Sequence, residues 1–126
     1  MKVSEYAQLD ATGLAQLIRK KEIAPEEALD AAIMAVEQVN PQLNAIVTRN
    51  YALAKKQLEK GIDLEAPFCG VPFVIKDEGG LMKEIPCTLG TRLSGNGIVT
   101  DHDSTLGARL KKSGVVVLAT AACPEF

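Results

Sequence analysis

Several things are scarce in this sequence, and each scarcity removes a class of function. Aromatic residues make up 4% of it, the formal net charge is only −2, and no basic stripe is interleaved with aromatics. Nucleic acid and anionic membrane surfaces are therefore not expected as partners. No apolar run approaches membrane-spanning length, so no membrane partner is expected. The opening residues Met1-Lys2-Val3-Ser4-Glu5-Tyr6 lack the apolar stretch of a secretory signal, and a cytoplasmic location is expected. Cysteine is represented by Cys69, Cys87 and Cys123 alone, odd in number, widely spaced and without a Cys-x-x-Cys pair. Reduced thiols and no zinc site follow.

The single histidine, His102, could pair with Cys87 as base and nucleophile only in a thiolate-activating environment, and the neighbouring residues offer none. Asp101-His102-Asp103 looks like a metal cluster. Asp103 reads more simply as a helix cap, and no distant ligands match it, so no metal is expected. Gly95-Asn96-Gly97 is half a dinucleotide fingerprint, with Thr100 where the third glycine belongs and no strand before it. A nucleotide loop is excluded on that ground, and no cofactor is expected. Repeats and low-complexity segments are absent.

What remains is an α/β pattern over 126 residues, a length that can bury a real core as one domain. Asp10 can cap a first helix, with Leu14, Leu17 and Ile18 on one face. A second opens at Pro25 and buries the stripe Ala28, Leu29, Ala32, Ile33, Val36 and Val39; Asn40-Pro41 is expected to stop it. From 43 to 120, strands alternate with helices: a strand at Leu43–Thr48, a helix at about 51–60, a strand at 71–76, a helix capped by Asp103, and the apolar strand Val115–Ala119. Alternation of this kind predicts a mostly parallel sheet flanked by helices. Nothing follows Val115–Ala119 to pair with its far edge. An exposed apolar edge is an aggregation hazard, so the chain is expected to be part of a larger fold or to dock on a partner.

The informative stretch is Gly70-Val71-Pro72-Phe73-Val74-Ile75-Lys76-Asp77. Strand alternation sets Val71, Phe73 and Ile75 on one face and Pro72, Val74 and Lys76 on the other. Lys76 thus shares an apolar face. In low dielectric its charged form is disfavoured, its pKa falls, and the neutral amine becomes a base. The competing reading is a strand-end lysine that snorkels to water. A long glycine-bearing loop, 77–102, follows this strand at the end where parallel sheets bind ligands.

These residues resemble the amidase signature family over almost the whole length. Leu9 to Val47 resembles its N-terminal helices, most closely at Val39-Asn40-Pro41-Gln42-Leu43-Asn44-Ala45. Gly70 to Asp77 is similar to the strand bearing the family's catalytic lysine. Thr88-Leu89-Gly90-Thr91 resembles its small Thr-x-Gly-Ser loop, with Thr91 in place of the serine. Leu110 to Leu118 and Pro124-Glu125-Phe126 resemble the helix–strand unit and the Pro-Glu-Phe after it.

The resemblance implies the N-terminal portion of an amidase signature fold. It also implies amide hydrolysis, at carbon–nitrogen bonds other than peptide bonds, through a Ser–cisSer–Lys triad and an acyl-enzyme. Lys76 would be the catalytic base, and the substrate a small-molecule amide. The family's serine-rich segment lies beyond Pro-Glu-Phe. Ser94, Ser104 and Ser113 stand in no Gly-Ser-x-Gly-Gly-Ser-like context, and Ala119-Thr120-Ala121-Ala122 replaces the usual Gly-Lys-Thr-Asn. The chain is accordingly expected to supply the lysine only and to be inactive alone. The alternative is a non-catalytic chain that pairs, through the Val115–Ala119 edge, with a second half or partner subunit. Substrate-binding residues and any homo-oligomer are left open.

Overall fold

The computed structural model describes every residue except Gly79, Glu125 and Phe126. The elements are α1 (Val3–Tyr6), α2 (Ala11–Arg19), α3 (Pro25–Leu43), β1 (Ile46–Arg49), α4 (Tyr51–Glu59), β2 (Pro72–Lys76), a 3-10 turn (Arg92–Ser94), α5 (Thr105–Lys112) and β3 (Val116–Ala121). Local chemistry sets many of their ends. Asp10 accepts from the Gly13 amide at 2.7 Å and starts α2. Pro25 begins α3, where its missing N–H costs nothing. No helix among the described residues is long and apolar enough to cross a membrane.

The three strands lie in the order β1-β3-β2, with β2 and β3 parallel and β1 antiparallel to β3. The α/β class is as expected, but one of the two pairings is antiparallel. The strand expected to leave an open edge is the central one: β3 is paired on both sides. A partner therefore cannot add a strand to β3, and the free edge expected there does not exist. The physical reason is visible in β3 itself. A continuous apolar run suits a strand covered on both faces, and the middle of the sheet is where such cover is found. Val116 and Leu118 pack among Leu29, Ala32, Ala54 and Leu58 of α3 and α4. Val115 and Val117 pack among Ile75, Met82, Ile85 and Leu110.

Two boundaries differ from the sequence reading. α3 runs through Pro41 and closes at Asn44, which takes the left-handed conformation (φ 50°). Proline so near the end of a helix forfeits a single backbone bond. The turn into β1 is held instead by the Asn40 side chain. It accepts from the Ile46 amide at 2.8 Å and donates to the Ile46 carbonyl at 3.2 Å. At α5 the cap is Ser104, whose hydroxyl accepts from the Gly107 amide at 3.1 Å, and not Asp103. Asp103 accepts from the Lys83 amide at 2.8 Å and pairs with Lys111 Nζ at 2.6 Å.

Candidate active site

The last residue of β2 and the one after it, Lys76 and Asp77, continue strand alternation and take opposite environments. Lys76 is the last residue of β2 and lies level with Ala121 of β3. The next amide, that of Asp77, still donates to the Ala121 carbonyl at 2.8 Å. The parallel pair β2–β3 therefore holds both residues at its carboxyl end, where loops gather and ligands bind in open α/β sheets.

Asp77 turns inward and is 1% exposed. Its carboxylate accepts from the Thr88 amide at 2.8 Å and from the Thr88 hydroxyl. A buried carboxylate needs such donors, because an unmet charge there is costly. The loop it holds is tightly made. Leu89 (φ 56°) and Gly90 (φ 65°) both take left-handed conformations. Ser94 Oγ donates toward the carbonyls of Thr88 at 2.7 Å and Thr91 at 2.9 Å. Thr91 is buried, and its hydroxyl accepts from the Leu93 amide at 3.3 Å. Gly90 seats against the segment after β3, where a Cβ would come within 2.7 Å of the Cys123 carbonyl oxygen. Only glycine fits there. Thr88–Thr91 is thus pinned both to the end of β2 and to the end of β3.

Lys76 turns the other way. Its side chain is 56% exposed, and Nζ lies 2.8 Å from Glu78 Oε2. The Glu78 carboxylate, by hydrogen bond and by charge, raises the lysine's pKa above its ordinary value. The expected dry, uncharged amine is not what this chain holds. Its face companions Pro72 and Val74 are buried and half-buried, but the apolar environment stops one residue short of the strand's end. β2 is an outer strand of the three, so the ammonium reaches water beside its carboxylate. That is the snorkelling geometry. The crevice between Lys76 and the core, lined by Ile75, Asp77, Cys87 and Thr120, holds about 10 Å³. That is water-sized and not substrate-sized. The Thr120 hydroxyl on its wall is buried without a hydrogen-bond partner among the described residues.

Other sequence candidates are not assembled. His102 is exposed and lies 2.8 Å from Asp101, whose carboxyl it holds below the usual range. Cys87 is buried at the Asp77 corner, where burial pushes its thiol pKa up, so it rests as a thiol and not as a ready thiolate. No group of three or more potential metal ligands occurs among the described residues. What sequence reasoning missed is the anchoring role of Asp77. Its position straight after an apolar strand was the only local signal, and its partner lies eleven residues further on.

The family model described as Amidase matches residues 27–126. The chain is 32% identical over 117 residues to the 6-aminohexanoate-cyclic-dimer hydrolase of Paenarthrobacter ureafaciens, covering 92% of this chain and 23% of that protein. It is 36% identical over 106 residues to an acylamidase of Rhodococcus erythropolis, covering 74% of this chain and 22% of the relative. A solved structure of 6-aminohexanoate cyclic dimer hydrolase superposes with a TM-score of 0.80 at 33% identity, over 93% of this chain and 24% of that one. The chain spans about a quarter of the length of these relatives. On the breadth of these matches, the chain belongs to the amidase signature family.

Proposed function

We propose that this chain is the base-bearing portion of an amide hydrolase acting on small-molecule amides, and that Lys76 is its base. One observation carries the reading: the lysine stands at the carboxyl end of β2, joined through Asp77 to the pinned Thr88–Thr91 loop. In the proposed reaction, neutral Lys76 takes the proton of a nucleophilic serine through a second serine. The alkoxide attacks the amide carbonyl, the amine leaves with a proton, and water then resolves the acyl-enzyme. Neither serine has a counterpart in the described residues around Lys76, so a serine-bearing portion must supply both.

The same portion has a second task. A lysine that is exposed and paired with Glu78 is protonated at neutral pH and cannot accept a proton. Covering it would strip water from the ammonium and lower its pKa into the working range of a base. The proposal is thus of a base made competent by burial. The test is amide hydrolysis by the purified 126-residue chain, with and without the serine-bearing portion of an amidase. Turnover is expected only in the combination, and Lys76→Ala is expected to abolish it, since triad members act as a unit. Turnover by the chain alone that is lost in Lys76→Ala would overturn the reading.

The exposed ion pair also favours a second reading, a non-catalytic chain that binds a partner. Because β3 is paired on both sides, a partner that adds a strand to this sheet would use the outer edge of β2 or β1. Stable association with the serine-bearing portion, without any turnover, would select this reading.

A further inference from the structure

Two of the three cysteines converge on one atom. Cys87 Sγ lies 3.6 Å, and Cys123 Sγ 3.3 Å, from the carbonyl oxygen of Asp77. The two sulfurs are therefore no further apart than those two contacts laid end to end. Each cysteine is held by its own surroundings. The Cys87 amide donates to the Ile98 carbonyl at 3.0 Å, and the Ile98 amide returns a bond to the Cys87 carbonyl at 2.8 Å. The Cys123 carbonyl is the surface on which Gly90 sits. The third cysteine stands apart: Cys69 is fully buried in another core cluster and its thiol faces the Ala15 carbonyl at 3.5 Å.

The pair is also unequal in access. Cys87 is buried and Cys123 half-buried. Burial raises the Cys87 thiol pKa, and the negative charge of Asp77 raises it further.

We propose that Cys87 and Cys123 form a dithiol modification site that reacts with small-molecule disulfides of the glutathione class and closes to an intramolecular disulfide beside the Asp77 carbonyl. The more exposed Cys123 reacts first. It loses its proton, its thiolate attacks one sulfur of oxidised glutathione, and one glutathione leaves as thiolate and takes up a proton. The Cys87 thiol then loses its proton and attacks Cys123 Sγ, expelling the second glutathione. Two protein thiols are oxidised by two electrons, and one glutathione disulfide is reduced to two thiols. Closure removes both S–H donors from the Asp77 carbonyl and ties the loop holding Thr88 covalently to the segment after β3. The inference concerns these three residues only and is independent of amide chemistry.

The test is incubation of the native 126-residue chain with oxidised glutathione, read by intact mass and by peptide mapping without reduction. The expected product is a monomer lighter by two hydrogens, with Cys87 linked to Cys123 and Cys69 free. In Cys87→Ser, the glutathione adduct is expected to persist on Cys123, because nothing resolves it. In Cys123→Ser, the crosslink is expected to be lost. The same incubation in urea controls for folding and is expected to lose the Cys87–Cys123 preference. A lasting adduct on wild-type Cys123, an intermolecular disulfide, a link to Cys69, or no reaction would each overturn the proposal.

Discussion

Asp77 and Lys76 are neighbours in sequence and opposites in environment. One carboxylate is buried and spends both oxygens on Thr88. The adjacent ammonium is in water and spends its charge on Glu78. Alternation along a strand is sufficient cause. The carboxylate organises the loop, and the ammonium is held in water by its own ion pair. Asp77→Ala would leave the Thr88 amide and hydroxyl without their partner in a part-buried site. A loss of about 2–3 kcal/mol is expected in urea unfolding, together with faster amide exchange across 88–94. A loss below about 0.5 kcal/mol would mean that the loop does not depend on this carboxylate. For Lys76 the sign is fixed by its partner. A lysine with a raised folded pKa contributes stability that is complete below its ordinary value and lost as pH climbs through the raised one. The charged form is therefore the stable resting state of this chain at neutral pH.

At the scale of elements, two sets of contacts decide how helices meet the segments around them. Ser104 caps α5, while Asp103 ties Lys83 to Lys111. Ser104→Ala is expected to cost about 1 kcal/mol in urea unfolding. Asp103→Ala should cost less in helix stability and instead loosen the 82–85 segment, seen as faster exchange at the Lys83 amide. The reverse ranking would return the cap to Asp103. The second set joins α3, β1 and α4. Glu37 Oε1 accepts from Arg49 Nε at 2.7 Å and from the Tyr51 hydroxyl at 2.6 Å. Burial first, and then the Glu37 carboxylate, push the Tyr51 pKa up to about 12. Its contribution to stability is therefore whole below the ordinary tyrosine value and lost as pH rises through about 12. Absorbance titration should show one tyrosine ionising there, and Glu37→Gln should bring it part of the way down. A Tyr51 that titrates at the ordinary value would show that the contact does not form.

These elements also show what can be read from a chain without its coordinates. Asp10 and Pro25 were legible because a cap and a helix start are decided within a few residues. The helix reaching Leu43 was not, because Asn40 holds Ile46 with its side chain and so outlasts the stop signal at Pro41. The cap of α5 was missed by one residue, since Asp103 and Ser104 are equally good candidates by type. Strand order was the largest loss. β3 is central because β1 folds back against it, and no pattern within Val115–Ala119 records that pairing.

For the whole molecule, the position of Lys76 was legible and its state was not. Lys76 is where the strand pattern put it, at the carboxyl end of a parallel pair. Its protonation depends on what covers it, which is a property of packing and not of the eight residues around it. The same dependence governs the proposed function, because a base beside a carboxylate in water is no base. The most direct measurement is a pH titration of Lys76 Nζ by nitrogen NMR, in the 126-residue chain and in its assembly with a serine-bearing portion that hydrolyses amides. In the chain alone the midpoint should lie above the ordinary lysine value of 10.5. In the active assembly it should fall below that value. A midpoint as high in the active assembly as in the chain alone would contradict Lys76 as the base.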